Sequence, residues 1–326
     1  MQDNYRRNIN YLRVSVTDRC NLRCVYCMPP QGVQTIPHEE ILRIEEIETV
    51  VRAAALIGVK KIRLTGGEPL LRKGLAQLTK QVASIPGIDD ITLTTNGLLL
   101  PSCVAELKEA GINRVNISLD TLRADRYREI TRGGDLSRVW KGIQLALDAG
   151  FHPVKLNTVI IRNFNDDEVV SMARLTLKRP LHIRFIELMP IGSSDSWAKG
   201  CFVPAGEIMG QITARLGQLF PVKNLTGSGP AKYYRFKDGT GTVGFITSMS
   251  EHFCNSCNRL RLTASGGLRP CLYDEREIDL KTPLRNGAGV KEITGLFMDA
   301  VAMKPDRHHM LDGWRDEQRV MSQIGG

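Results

Sequence analysis

Apolar residues along this chain fall into short runs, separated by longer stretches in which they recur three and four residues apart. The short runs are YLRVSVT (11–17), KIRLTGG (61–67), DITLTTNG (90–97), RVNISLD (114–120), PVKLNTVII (153–161) and HIRFIELMP (182–190), and each reads as a strand. Between them, stretches such as HEEILRIEEIETVVRAAALIG and SRVWKGIQLALDAG carry the helical period. Six strands alternating with helices predict parallel βα units, arranged as an open doubly wound sheet or as a full or partial (β/α) barrel. Past residue 225 the pattern changes. NLTGSGPAKYYRFKDGTGTVGFITSMS is rich in Gly, Ser and Thr, with two short strands about a DGTG turn, and RLRLTASGGLRPCL reads as a second hairpin. The chain is therefore expected to divide into a main α/β domain, 1–225, and a smaller C-terminal α+β domain, 226–326.

Four cations break the apolar strands and favour the barrel. Arg13, Arg63, Lys155 and Arg184 each sit inside a predicted strand, and an unpaired cation in a packed core is costly. A lumen that binds an anion accounts for all four at once. Pairing with acidic neighbours such as Glu187 and Asp120 is the competing explanation.

Composition narrows the partners. The 326 residues hold 44 Lys and Arg against 35 Asp and Glu, a formal charge of +9, which favours nucleic acid, nucleotides or a phosphorylated substrate. The basic residues are dispersed, with no run of five or six like charges and no basic tail. No apolar stretch is long enough to span a bilayer, and MQDNYRRNINYLR lacks a signal-peptide core. The expected compartment is the cytoplasm, where thiols stay reduced and clustered cysteines bind metal more often than they pair.

Three of the eight cysteines, Cys20, Cys24 and Cys27, stand in C-x3-C-x2-C order directly after the first strand, on the face where parallel barrels carry their chemistry. A disulfide needs an even number and a closed zinc site needs four ligands. Thiolates in threes suit a cubane iron–sulfur cluster with its fourth iron left open. Zinc with a fourth ligand from elsewhere is the alternative, and the nearest downstream histidine is His38. After the second strand, LTGGEP (64–69) offers glycines for close backbone approach and Glu68 as an acceptor for an ammonium group. Cysteines followed by this turn resemble the radical S-adenosylmethionine (SAM) superfamily, in which the open iron chelates the amino and carboxylate groups of SAM.

A second triad, Cys254, Cys257 and Cys271, again stops at three, with His252 available to complete a zinc site. Arg259 and Arg261 lie two apart on a predicted strand, so both guanidiniums face one side and suit phosphate oxygens, with a solvated strand face as the alternative. Two triads, the GGEP turn, the arginine pair and the terminal Gly325–Gly326 together resemble the MoaA-type GTP 3',8-cyclases over essentially the whole chain. The motifs run from YLRVSVTDRCNLRCVYCMP through TTNG and RFIELMP to CNRLRL and the final IGG.

That resemblance implies a partial (β/α)6 TIM-type barrel of the radical SAM type, with a second iron–sulfur cluster in the C-terminal domain. It implies two [4Fe–4S] clusters, SAM on the first and GTP on the second. Tyr26, Gly67, Ser118 and Met189 match SAM contacts, beside Glu68. Arg13, Arg63, Thr94, Lys155, Arg259, Leu260 and Arg261 match GTP contacts, with Lys61 and Arg184 as further candidates. The implied reaction cleaves SAM, removes hydrogen from C3' of GTP and joins C3' to C8, giving 3',8-cyclo-7,8-dihydro-GTP, the first step of molybdenum cofactor biosynthesis. Gly325 and Gly326 would thread into the active site. The implied partners are a reductase or flavodoxin-like electron donor, a downstream cyclic pyranopterin monophosphate synthase and a second copy of the chain in a homodimer, with no nucleic acid and no membrane. Cys103 and Cys201 are expected to bind no iron. Two other readings stay open on the residues alone: a radical SAM enzyme acting on RNA or a peptide, and a non-catalytic iron–sulfur or zinc protein that binds nucleic acid.

Overall fold

A computed structural model of the chain describes residues 1–189, 200–223, 229–308 and 320–324. Gly325 and Gly326 lie outside the described residues. The six expected strands are β1 (Tyr11–Ser15), β2 (Lys61–Thr65), β3 (Asp90–Thr95), β4 (Arg114–Ser118), β5 (Val154–Ile160) and β6 (Leu181–Glu187). Each pairs in parallel with the next. The two hairpins read from the C-terminal sequence also form: β8 (Lys232–Arg235) with β9 (Thr242–Ile246), and β10 (Arg259–Leu262) with β11 (Gly267–Arg269).

Where those hairpins dock was not foreseeable. β10 lies parallel beside β1, and β9 lies parallel beside β6. One continuous 12-stranded sheet therefore runs through both sides of residue 225, with β7 (Phe220–Pro221) and β12 (Ile278–Asp279) at its two ends. Its central run, β10-β1-β2-β3-β4-β5-β6-β9, is entirely parallel.

Strand residues alternate between two very different faces. Outward go Leu12, Val14, Ile62, Leu64, Ile91, Leu93, Val115, Ile117, Val154, Leu156, Ile183, Phe185, Val243, Phe245, Leu260 and Leu262, all buried. They share one cluster with Val50, Val51, Leu78, Val139, Ile143 and Met172 from the covering helices. Burial of each Val, Leu, Ile or Phe stabilises by about 1.5–3 kcal/mol, so this face holds the fold together. The helices themselves are set locally; Asp135, for example, caps Leu136–Asp148 by accepting from the Ser137 amide at 2.9 Å. Inward go Tyr11, Arg13, Arg63, Thr94, Asn116, Ser118, Lys155, Asn157, Arg184, Arg259 and Arg261. An ordinary parallel barrel fills this space with branched aliphatics. Here it is lined with polar and charged groups. Among the described residues no helix is long and apolar enough to cross a membrane.

Candidate active site

Both cysteine triads open onto one cavity of about 310 Å³ within the barrel. Strand directions place them at opposite ends of it. The loop with Cys20, Cys24 and Cys27 follows the C-terminal end of β1. Cys257 precedes β10, which runs parallel to β1 with Arg259 level with Tyr11, and Cys271 follows the antiparallel β11 back to that same end. The height of a five-residue strand, about 16 Å, thus separates the two loops.

Each triad rests on the same local turn. The Cys27 amide donates to the Cys24 carbonyl at 2.9 Å, and the Cys257 amide donates to the Cys254 carbonyl at 3.0 Å. The C-x2-C spacing is what allows this bond, which aims both thiols to one side. All eight cysteines are free thiols. Burial, joined by Cys20 and Asp120, pushes the Cys27 thiol up to about 12, and burial also raises Cys20 and Cys24. At the other end burial would likewise raise Cys257, but the charges of Arg259 and Lys304 outweigh it and bring the thiol down to about 6. Among the described residues no three His, Cys, Asp or Glu side chains are gathered as a lone metal ion requires. Each triad presents three thiols to the cavity, the donor set that a cubane iron–sulfur cluster takes.

The GGEP turn is packed against the loop that leads into Cys20. The Gly67 amide donates to the Thr17 carbonyl at 2.9 Å and the Glu68 amide to the Arg19 carbonyl at 2.8 Å. A Cβ on Gly66 would lie 2.3 Å from the Thr17 oxygen, and one on Gly67 would lie 2.4 Å from the Arg19 oxygen. Glu68 itself is fully buried behind the cavity wall. Its carboxylate accepts from Thr95 Oγ1 (2.7 Å) and from the amides of Leu70 (3.1 Å) and Asn96 (2.7 Å). Burial outweighs those bonds and pushes its pKa up to about 7. Its observed work is to join the GGEP turn to the TTNG loop, whose Asn96 side chain reaches Asn21 at 2.7 Å.

The remaining positions matched to SAM line the cavity: Tyr26, Gly67, Ser118 and Met189. The Tyr26 hydroxyl donates to Asp120 at 2.6 Å, and the Tyr273 hydroxyl donates to the Met189 sulfur at 2.7 Å. Burial, against the bonds from Tyr26 and the Val159 amide, pushes Asp120 up to about 6.

Among the positions matched to GTP, Arg13, Arg63, Thr94, Arg184, Arg259 and Arg261 line the cavity. Arg261, Arg13 and Arg63 stand directly opposite one another on three adjacent strands. Burial lowers Arg13 well below its usual range, and the like charges of Arg261 and Arg63 lower it further. Burial, with the charge of Arg259, likewise brings Arg261 down to about 10. Lys155 lies buried on the same inward face with its ammonium 5.3 Å from the Tyr233 ring, and burial plus the charge of Arg184 bring it down to about 6. Leu260 does not join this group: it points to the opposite, apolar face and is fully buried there. Lys61, Cys103 and Cys201 lie outside the cavity wall. The acids weighed as ion-pair partners accept several hydrogen bonds. Glu187 accepts from the amides of Ala205, Met249 and Ser250, and Asp120 from Tyr26 and Val159.

Several wall residues were not singled out from sequence: Tyr11, Asn157, Tyr273, Lys304 and His308. Tyr11 and Asn157 each stand two positions from a singled-out cation, so strand alternation was the signal that pointed to them. Tyr11 Oη, Arg63 Nε, Thr94 Oγ1, Asn157 Oδ1, Arg184 Nε and Ser322 Oγ are buried on this wall with no hydrogen-bond partner among the described residues. Buried polar atoms are almost always paired. A polar, anionic occupant would supply those partners.

Residues 14–176 match the Radical SAM superfamily, and residues 181–310 match Molybdenum Cofactor Synthesis C. A GTP 3',8-cyclase of Pelotomaculum thermopropionicum is 75% identical over 326 residues, covering 100% of both chains, and that of Moorella thermoacetica is 58% identical over the same full lengths. Streptococcus suis SuiB, solved with the precursor peptide SuiA, aligns with a TM-score of 0.64 at 14% identity, over 88% of this chain and 66% of that one. The structure of anSMEcpe with bound AdoMet aligns with a TM-score of 0.58 at 14% identity, over 91% and 78%. These two share the fold alone. Full-length identity to the cyclases decides the narrower question, and the chain belongs to the GTP 3',8-cyclase family of the radical SAM superfamily.

Proposed function

We propose that this chain performs the GTP 3',8-cyclase reaction of its family, the first step of molybdenum cofactor biosynthesis, inside the barrel lumen between the two cysteine triads. Cys20, Cys24 and Cys27 would hold the [4Fe–4S] cluster that the radical SAM superfamily carries with SAM, and Cys254, Cys257 and Cys271 a second one. When bound, the reduced cluster and SAM supply the one-electron chemistry that removes a hydrogen atom from the GTP ribose.

The protein's own residues do the rest. Raised thiols at Cys24 and Cys27 give up their protons as the first centre forms. The backbone of Gly66 and Gly67 packs directly against the loop that leads into Cys20, with no room for side chains between them, and so holds the first triad in place. Tyr26 is fixed by Asp120 at 2.6 Å, so its ring presents a set face to an adenine. Arg261, Arg13 and Arg63, with Arg259 and Arg184, offer the forked donors that phosphate oxygens accept. Enclosure by the sheet keeps water from the reacting carbons. The reading extends to a reductase or flavodoxin-like electron donor, to a downstream cyclic pyranopterin monophosphate synthase and to a homodimer.

One observation carries the placement of GTP: Arg63 Nε and Arg184 Nε are buried on the cavity wall with no hydrogen-bond partner among the described residues, beside the row Arg261–Arg13–Arg63, and a phosphate oxygen would supply those partners. Anaerobic incubation with GTP, SAM and a strong reductant should yield 5'-deoxyadenosine together with 3',8-cyclo-7,8-dihydro-GTP, and GTP should alter the EPR spectrum of the second cluster. Arg261→Leu should abolish that spectral change while SAM is still cleaved. GTP recovered unchanged after SAM has been consumed would defeat the proposal.

A further inference from the structure

The helix Val290–Ala302 runs into a short segment, 304–306, that is tied to the main chain around all three cysteines of the second triad. Lys304 is only 3% exposed, and its ammonium donates to the carbonyls of Pro270 at 2.7 Å and Arg259 at 2.9 Å. Pro270 immediately precedes Cys271, and Arg259 follows Cys257 by two residues. The third cysteine is reached from the other end of the chain. Arg7, also buried, donates to the carbonyls of Cys254 (3.0 Å), Asp306 (2.9 Å) and Pro305 (2.6 Å). An ion pair with buried Asp3 holds Arg7 in place. Two cations, at positions 7 and 304, thus gather three loops that the sequence keeps far apart.

Backbone carbonyls could be satisfied by neutral donors, and a buried ammonium costs several kcal/mol to desolvate. A charge at this position therefore calls for an anionic neighbour. Lys304 lines the cavity beside the triad.

We propose that Lys304 is a positioning residue for the second iron–sulfur cluster: it fixes the frame of Cys254, Cys257 and Cys271, and its permanent charge favours the cluster's reduced form. The inference rests on the assignment of a cluster to that triad. Taking up an electron makes a thiolate-bound cubane more negative, so a fixed cation at its edge stabilises the reduced state more than the oxidised one. Arg7 braces the same frame from behind, through carbonyls alone.

The test uses the full-length chain, reconstituted anaerobically with iron and sulfide, as wild type, Lys304→Met and Lys304→Arg. Iron and sulfide are counted, and each cluster is followed by EPR through a redox titration with dithionite. The first cluster, at the far end of the lumen, is the internal reference. Lys304→Met should make the second cluster about tenfold harder to reduce, a downward shift of about 59 mV for a one-electron couple. Lys304→Arg should stay within about threefold, and the first cluster should not move in either variant. Selective loss of the second cluster from Lys304→Met, with the first retained, supports the framing role equally. The inference is overturned if Lys304→Met holds its second cluster at the wild-type potential, if Lys304→Arg shifts as far as Lys304→Met, or if both clusters are lost together. Wild type carrying only one cluster would remove the second centre itself, a different failure that is visible before any variant is made.

Discussion

Replacing Gly67 by alanine puts a methyl carbon where the first triad's loop already stands. The new Cβ would lie 2.4 Å from the Arg19 oxygen, 2.7 Å from the Arg19 carbonyl carbon and 2.7 Å from the Asp18 oxygen. These are backbone atoms, not the ends of flexible side chains, so relief requires the loop itself to retreat by about 1 Å. Retreat strains two hydrogen bonds, Gly67 amide to Thr17 carbonyl and Glu68 amide to Arg19 carbonyl, each worth about 1 kcal/mol. Overpacking of this kind costs about 1–3 kcal/mol by itself, so the combined effect should be about 2–4 kcal/mol. Cys20 is the next residue along that loop. The loss should therefore appear as weaker SAM binding and incomplete loading of the first cluster, on the order of 30- to 1000-fold in affinity at 1.4 kcal/mol per decade. The second cluster should load normally. Equilibrium SAM binding and iron content of each centre would be measured alongside Gly210→Ala, whose Cβ meets nothing within 4 Å on the exposed side of the helix Ala205–Leu216. That control should gain about 0.5–1 kcal/mol of stability. Gly67→Ala binding SAM within twofold of wild type, with a full first cluster, would refute the close-approach argument.

Two further outcomes follow from the cations of the lumen. With Lys155 brought down to about 6, the side chain is mostly neutral at pH 7.5, and an arriving triphosphate should return its charge. Calorimetry in buffers of different ionisation enthalpy should record uptake of about one proton per GTP at pH 7.5, shrinking as pH falls through 6 and absent in Lys155→Met. The same depression means that the unfolded chain binds the extra proton between about pH 6 and 10.5, so this residue's cost to stability is full below 6 and fades as pH rises through that window. Arg63→Met removes a half-buried guanidinium whose buried Nε lacks a partner among the described residues. Unliganded stability should hold or rise by about 1 kcal/mol while GTP affinity falls tenfold or more, checked by denaturant titration and equilibrium binding.

The parts of this molecule legible in sequence are those encoded by near neighbours. Strand runs, helical periods, both C-x2-C turns and the i, i+2 pair Arg259 and Arg261 all lie within a few residues of each other. The alternation that exposes Arg13 to the lumen would also have exposed Tyr11, had it been carried one step along the strand. Leu260 was carried over with its flanking arginines, yet the same alternation turns it to the apolar face. Glu68 was legible as part of a motif, but its partners Thr95 and Asn96 arrive from another strand end. The carbonyls that Lys304 and Arg7 reach lie 34 to 299 positions away. No local pattern encodes such distances, and the docking of β10 beside β1 is hidden for the same reason: a hairpin announces its own turn, not the edge it will join.

One sheet serves two opposed purposes, and the opposition has a measurable consequence. Its outward face, from Leu12 to Leu262, supplies the burial that stabilises the fold, while its inward face gives up the aliphatic packing of an ordinary barrel for guanidiniums that repel one another. Arg63 Nε and Arg184 Nε have no hydrogen-bond partner among the described residues, so a polyanion that accepts from them should stabilise the native state. Anything bound only to the native state at 100 times its dissociation constant contributes about 2.7 kcal/mol. At about 2.1 cal/mol/K per residue of unfolding entropy, a chain of 326 residues should then melt about 4 °C higher. That gain should come from the phosphates. Inorganic tripolyphosphate, titrated into the cluster-loaded protein under nitrogen, should raise the Tm nearly as far as GTP does at the same ligand concentration, and guanosine at that concentration should leave it unchanged. A guanosine shift as large as that of GTP, with tripolyphosphate inert, would mean that the row Arg261–Arg13–Arg63 is balanced by something other than the substrate's anionic end.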